Sequence, residues 1–165
     1  MKKIIILFFI LSIFLFACSR PQTAIQNNDV APDDTSDFMM DGMIYQGQLL
    51  AGSESKYLVY NKQDYEKALK ENKKVLLYFY ANWCNICKAE QQHAMAAFDH
   101  LKDPNLVGFR INFKDSDTDN EEEALAREYG IAYQHTKVIL VNGQRILKSP
   151  EAWDYNRYLN ELNKI

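Results

Sequence analysis

The sequence predicts an α/β protein in which helices and a central mixed β-sheet form three layers, α/β/α. The first observation behind this prediction is an uninterrupted apolar run at 75–81, which suits a strand buried on both faces. The second is a helical pattern directly after that run, and the third is the alternation of helix and strand signals to the end of the chain. A strand at 136–141, an Asn-Gly turn at 142–143 and a second strand at 144–148 predict an antiparallel hairpin within the sheet.

The elements around the apolar run follow from capping and spacing. Residues 55–60 favour an edge strand or an extended lead-in, and Asn61 can cap a first helix that ends near Asn72. The segment after the run, at 88–101, has the spacing of an amphipathic helix. Its buried stripe is formed by Ala94, Phe98 and Leu101. Pro104 lies in the segment that ends this pattern.

The second half of the chain begins with a strand predicted at 106–113, where apolar residues alternate with other residues. The acidic segment 115–120 resembles a calcium loop at first sight, but it lacks the Gly and the Glu that an EF-hand needs at its sixth and twelfth positions. We interpret Asp119 or Asn120 as the cap of a helix that stops at Gly130, with the acids of 121–123 at its positive N-terminal end. Ser149, followed by a proline and a glutamate, is predicted to cap the last helix.

Cys84 and Cys87 lie where the apolar strand is predicted to lead into the first turn of a helix. Unpaired backbone N–H groups and the positive end of the helix dipole stabilise a thiolate there, and the thiolate is the nucleophilic form of cysteine. Two intervening residues allow the second thiol to reach back and close a disulfide with the first. The alternatives are a structural disulfide and half of a zinc site, although zinc needs two more ligands at short spacing and the sequence has no second cysteine pair.

The residues around these cysteines resemble the thioredoxin superfamily, and the resemblance runs from about Tyr57 to the C-terminus. Residues 80–88 are most similar to the C-terminal domain of membrane thiol–disulfide interchange proteins, and residues 129–131 with the late hairpin are similar to a second part of the family pattern. The resemblance implies a thioredoxin-like fold and a protein thiol–disulfide oxidoreductase. It implies protein thiols and disulfides as substrates, a membrane electron-transfer protein as a further partner, and a redox-active disulfide in place of a cofactor.

The resemblance also implies roles at the site. Cys84 would be the attacking thiol, Cys87 would resolve the mixed disulfide, and Trp83 would shield the pair. His135 stands where the family usually has a cis-proline. A cis peptide is costly without proline, so a trans bond is expected, with the imidazole close to the two sulfurs.

Two further positions depart from the family pattern and a third matches it. Tyr78 stands where many thioredoxins bury an acid, Arg110 stands where a nearby lysine is common, and Thr136 matches the threonine that follows the proline. Without the buried acid, another group must handle the proton of the resolving cysteine. His135 is the expected candidate, to tune the site or shuttle protons, because an imidazole titrates near neutrality.

His135 also suggests a metal-binding alternative. The fragment 134–136 resembles the His-Ser/Thr of the copper chaperones that serve cytochrome oxidase assembly, which share the fold and bind copper with two Cys and one His. Two thiolates and an imidazole from Cys84, Cys87 and His135 would form a soft-metal site for copper. Against this alternative, the cysteines of those chaperones are three residues apart rather than two.

The N-terminal region predicts export and membrane attachment. Two lysines precede an uncharged apolar stretch, so residues 1–17 are predicted to be a signal peptide. Residues 15–18, Leu-Phe-Ala-Cys, resemble the bacterial lipobox, which implies cleavage before Cys18 and lipidation of that cysteine as a lipoprotein anchor. A plain secretory signal and an uncleaved anchor are the alternatives. The expected location is the cell envelope, on the periplasmic or outer face of a membrane.

Residues 18–50 are mostly polar and are predicted to be a disordered tether, which leaves 51–165 as the folded domain. A methionine cluster at 38–43 would be an apolar strip that docks on the domain or a set of soft copper ligands. The formal charge of −3 and the pI near 5.6 give no basic footprint for nucleic acid. We expect a monomer.

Overall fold

The computed structural model of the chain describes residues 45–165, so the predicted signal peptide, Cys18 and the methionine cluster lie outside the described residues. The described part contains six strands and four helices. In chain order these are β1 (Leu49–Ala51), β2 (Lys56–Val59), α1 (Lys62–Lys70), β3 (Lys74–Tyr80), α2 (Asn85–His100), β4 (Leu106–Asn112), α3 (Asn120–Glu128), β5 (Thr136–Val141), β6 (Gln144–Ser149) and α4 (Tyr155–Leu162). Within residues 45–165, none of the helices combines the length and the apolar composition needed to cross a bilayer.

The strands form one mixed sheet in the order β1-β2-β4-β3-β5-β6. β2, β4 and β3 run parallel, whereas β1 pairs with β2, β5 with β3, and β6 with β5 in the antiparallel sense. The apolar run predicted from the sequence is β3, which is flanked on both sides and buried along its length. The mixed α/β sheet is therefore confirmed.

Alternate side chains of β3 enter two different cores, as the pleat of a strand requires. Leu77 and Phe79 point into the core that α1 and α3 cover. Leu76 and Tyr78 point into the core that α2 and α4 cover. The predicted three-layer arrangement follows from this division, because each face of the sheet needs its own helical layer.

The predicted cap of α1 is confirmed, and the predicted cap of the third helix is resolved to Asp119. The side chain of Asn61 accepts hydrogen bonds from the amides of Gln63 and Asp64. Asp119 caps α3, and Glu122 reaches back to the amide of Asp119, which completes a capping box. The last acid of the segment that resembles a calcium loop, Asp119, therefore caps a helix, as predicted.

The predicted start of the last helix is wrong. Ser149 is the final residue of β6 and pairs with Lys137 across the sheet, so it does not cap a helix. Its hydroxyl accepts a hydrogen bond from the indole of Trp153, which is buried. The helix begins only after Asp154, whose carboxylate accepts the amide of Arg157. Burial of the tryptophan outweighs the local Ser-Pro-Glu signal.

The ordered domain also begins earlier than predicted. β1 was not predicted, and the proposed boundary between tether and domain, at 50/51, falls inside it. The chain before β1 is held by Asp64, a buried carboxylate on α1 that accepts the amides of Gln46 and Gly47 at 2.7–3.1 Å. A strand of three residues is too short to show a period-two pattern, which explains why the sequence did not reveal it.

Candidate functional site

The two cysteines lie at the start of α2, directly after the central strand. Cys84 is the N-cap of the helix, and its sulfur accepts the backbone N–H of Cys87 at 3.2 Å. Both residues are free thiols in this structure. The predicted placement of the pair at a strand-to-helix turn is what the fold produces, and it brings the two sulfurs within the same helical turn.

The environments of the two thiols differ. Cys87 is fully buried, and burial, followed by its hydrogen bond with Cys84, raises the pKa of the Cys87 thiol to about 12. The backbone amides of Ala81 and His135 face the Cys87 sulfur and lower this pKa in part. Cys84 retains 5% of its surface exposed. At neutral pH Cys87 is therefore protonated, and Cys84 is the one of the two residues that keeps some exposed surface.

Exposed apolar side chains accompany the buried sulfurs. Trp83, Ile86 and Tyr133 are 56%, 54% and 66% exposed, and we call these three residues the apolar rim. The indole of Trp83 is fixed, because its Nε1 donates to the carbonyl oxygen of Lys114 at 3.0 Å. Trp83 was expected to shield the pair, and in this structure more than half of its side chain faces solvent.

The acidic segment after β4 supports the turn that precedes Cys84. The carboxylate of Asp115 accepts the backbone amide of Asn82 at 2.7 Å, and the Asn82 side chain donates to Ser116 and Asp117. Sequence reasoning assigned this segment only to a helix cap. Its second role depends on the packing of β4 beside β3, which no local pattern reports.

His135 differs from the expectation in the direction of its ring. The residue has a positive φ of 49°, and its Nδ1 lies 2.7 Å from the carbonyl oxygen of Pro150. The structure thus brings the His135 peptide, and not its imidazole, to the Cys87 sulfur. No cis peptide bond occurs within residues 45–165, which agrees with the expected trans bond.

The alternative copper site is not assembled by this geometry. Within residues 45–165, no three His, Cys, Asp or Glu side chains converge as metal ligands, and Cys84, Cys87 and His135 are among the residues covered by that statement. The reason is the hydrogen bond that turns the imidazole toward Pro150. In this structure the three residues of the alternative are therefore not gathered around one point.

The other three predicted supporting residues each contact a different part of the site region. The hydroxyl of Tyr78 donates to the carbonyl oxygen of Cys87 at 3.2 Å and lies 3.3 Å from Oε2 of Glu90. Burial raises the pKa of Tyr78, so it remains a protonated donor. Arg110 stacks over the ring of Tyr80, at 5.0 Å from its centroid. Thr136 donates from its hydroxyl to the carbonyl oxygen of residue 133 at 2.7 Å.

A buried ion pair beneath Cys87 was missed. Glu90 and Lys137 are 2% and 0% exposed by side chain, and they form a direct salt bridge. A signal for both was present in the sequence. Glu90 lies four residues before Ala94, on the predicted buried stripe of the helix, and Lys137 lies two residues before Ile139 on a strand with buried neighbours. An acid therefore does lie near Cys87, but α2 supplies it and β3 does not.

The chain also matches a known family in sequence. The family model described as Thioredoxin matches residues 56–164, about two thirds of the chain. The chain belongs to the thioredoxin family. Thioredoxin-family membership makes it a thiol–disulfide oxidoreductase, which acts on protein thiols and disulfides.

Solved structures share the thioredoxin fold with this chain. Trxlp from Edwardsiella tarda is 23% identical, with a TM-score of 0.52 over 61% of this chain and 92% of that one. Thioredoxin f from spinach chloroplast is 21% identical, with a TM-score of 0.55 over 67% and 93%. A thioredoxin from Aeropyrum pernix is 13% identical, with a TM-score of 0.54 over 73% and 95%. At these identities the likeness is one of fold.

Proposed function

We propose that this thioredoxin-family protein exchanges disulfides outside the cytoplasm through Cys84 and Cys87, tethered to a membrane by a lipid on Cys18. The observation that carries the chemistry is the asymmetry of the pair. Both cysteines are buried, but Cys84 keeps 5% of its surface exposed and its sulfur accepts an N–H at the start of α2, whereas Cys87 is 0% exposed. The first is suited to attack and the second to resolution.

The proposed cycle starts with the Cys84 thiolate attacking a partner disulfide. The partner S–S bond breaks, one partner thiolate leaves, and a mixed disulfide forms at Cys84. Cys87 then loses its proton to solvent and attacks the Cys84 sulfur, which releases the second partner thiolate. The two enzyme thiols supply two electrons to the partner, and their two protons balance those taken up by the partner thiolates. The cycle uses no group beyond the cysteines.

The apolar rim supports a macromolecular partner. A partner chain must bring its own disulfide to a residue that is only 5% exposed, so it has to contact the surface around Cys84. The exposed side chains of Trp83, Ile86 and Tyr133 supply apolar area for that contact. A small polar thiol would leave this area uncovered.

Replacement of His135 by glycine separates exchange from copper binding. Glycine adopts the positive φ without strain and keeps the backbone N–H, so the attack of Cys84 on a model disulfide should stay within about twofold of the wild-type rate. We expect weak Cu(I) binding by both proteins, measured by competition with a chelator. His100→Ala, which removes an imidazole at the other end of α2, is the control. Tight wild-type copper binding that the glycine variant loses would instead support the carrier function.

Replacement of Cys18 by alanine tests the anchor. If the lipid is attached there, the variant should move from the membrane fraction to the soluble fraction of cells, with unchanged exchange by the purified protein. Cys84→Ser also removes one thiol and should stay with the membrane, which makes it the matched control. A Cys18→Ala protein that remains in the membrane fraction would indicate an uncleaved apolar anchor.

A further inference from the structure

The ammonium of Lys137 joins three separate parts of the fold. Lys137 lies opposite Tyr78 in the β3–β5 ladder, and its side chain enters the layer that α2 and α4 cover. The ammonium donates to Oε1 of Glu90, to the carbonyl oxygen of His135 at 2.8 Å, and to the carbonyl oxygen of Glu151. An ammonium has three N–H donors, so each of them has a partner in this arrangement.

The carboxylate of Glu90 is equally well satisfied. Besides Lys137, its Oε1 accepts the backbone amide of Trp153 at 2.8 Å and the hydroxyl of Tyr158 at 3.1 Å. Its Oε2 lies 3.3 Å from the hydroxyl of Tyr78. A buried carboxylate with this many donors is held in one position. Glu90 therefore acts as a fixed anchor for the ammonium, and not as a free base.

The anchored ammonium controls the loop that faces Cys87. His135 holds a positive φ, which a residue with a side chain adopts only when its surroundings enforce it. Three hydrogen bonds enforce it here: from Lys137 to the His135 carbonyl, between the ring and Pro150, and from Thr136 to Tyr133. Lys137 supplies the contact from inside the domain.

The His135 loop reaches Cys87 because of the sheet register. Phe79 pairs with Thr136, so the residue before β5 lies beside the end of β3 and the turn that leads to the cysteines. Cys87 packs there against Ala81. A shift of the His135 peptide would therefore change the immediate surroundings of the resolving sulfur.

We propose that Lys137, anchored by Glu90, is a positioning residue for the resolving step, because it fixes the His135 peptide against Cys87 while that thiol ionises and attacks Cys84. The proposal rests on the roles of the two cysteines given under the proposed function. Lys137, which is buried on β5, then affects only the second half of the cycle.

Other charged and titratable groups surround Cys87 from every packed element. They are Cys84 of α2, Tyr78 and Tyr80 of β3, Tyr57 of β2, Lys137 of β5 and the His135 loop. Glu90 and Arg110 lie behind them, beside Tyr78 and Tyr80. Arg110 is engaged with the Tyr80 ring and with Gln91. Lys137 differs from it in also holding the peptide that faces the sulfur.

The aromatic disulfide DTNB reports the two steps separately. Attack by the Cys84 thiolate breaks the DTNB S–S bond, releases one coloured TNB thiolate and leaves TNB disulfide-bonded to Cys84. Attack by Cys87, after its proton passes to the buffer, breaks that bond and releases a second TNB while the Cys84–Cys87 disulfide forms. Stopped-flow absorbance of the full-length protein in detergent therefore gives one rate for each thiol.

Lys137→Met should leave the first TNB phase within about twofold of wild type and slow the second phase by about tenfold to a hundredfold, the usual effect of misplacing a reacting group. The slowing should persist at each pH tested, with the whole second-phase profile displaced toward higher pH. Lys74→Met is the matched control, because Lys74 also pairs with a carboxylate and a backbone carbonyl, at the other end of β3. It should change neither phase.

The double variant Glu90→Gln/Lys137→Met protects the test against misfolding, since it removes both buried charges and keeps a carbonyl acceptor for the Trp153 amide. It should show the same slow second phase. An unchanged second phase in the double variant, or equal slowing of both phases, would overturn the positioning role. Release of only one TNB by the wild-type protein would instead overturn the proposed roles of the cysteines.

Discussion

The Cys87→Ser variant should accumulate a stable mixed disulfide with its partner through Cys84. The buried thiol is the group that would break that bond, and serine cannot replace it. In cells, covalent adducts should appear on non-reducing gels and disappear on reduction, and mass spectrometry of the purified adducts would identify the partner. Turnover of a model disulfide should fall to the background rate, so this is the largest expected effect on activity.

The control is Cys84→Ser, which keeps the fully buried Cys87 thiol and loses that of Cys84, the residue with 5% of its surface exposed. It should form few or no adducts, because Cys87 is 0% exposed and burial raises its pKa to about 12. Adducts that form only in Cys84→Ser would reverse the assignment of attacking and resolving thiols. Adducts in neither variant would remove the proposed exchange mechanism.

Breaking the buried ion pair should have the largest effect on stability. Removing one partner leaves the other charge uncompensated in the interior, which typically costs about 3–5 kcal/mol. We therefore expect Glu90→Gln and Lys137→Met each to lower the free energy of unfolding in urea by several kcal/mol. The double variant buries no charge at this position, so it should be more stable than either single variant.

An exposed salt bridge provides the control for the cost of breaking the buried one. Lys74 and Asp103 form a salt bridge whose side chains are 30% and 33% exposed, and pairs of that kind contribute about 0–1 kcal/mol. Lys74→Met should therefore cost far less than Lys137→Met. Additive losses in the double variant Glu90→Gln/Lys137→Met would mean that Glu90 and Lys137 stabilise the fold independently.

Local signals were sufficient to predict most of the fold. The cap at Asn61, the Asn-Gly hairpin turn and the apolar run of β3 each act over a few residues, so their outcome can be read along the chain. The start of α4 could not be predicted, because it depends on where Trp153 is buried. β1 is held by pairing with β2 and not by a pattern of its own.

At the candidate site, too, the features set by local sequence could be predicted and those set by long-range contacts could not. The position of Cys84 and Cys87 follows from a strand that leads into a helix, and the sequence contains both elements. The direction of the His135 ring depends on Pro150, fifteen residues later. The Glu90–Lys137 pair joins residues separated by 47 positions. Contacts between residues so far apart in the sequence form only when the fold is assembled, so local patterns do not predict them.

The two edges of the sheet affect what happens when the protein meets an unfolded partner. β1 has only three residues and an irregular register, and β6 presents the exposed, positively charged Arg145 and Lys148. Short, irregular and charged edge strands resist pairing with a strand from another chain. Chains that still need their disulfides rearranged expose such strands. The charges of Arg145 and Lys148, on either side of the exposed Ile146, therefore oppose the addition of such a strand at β6.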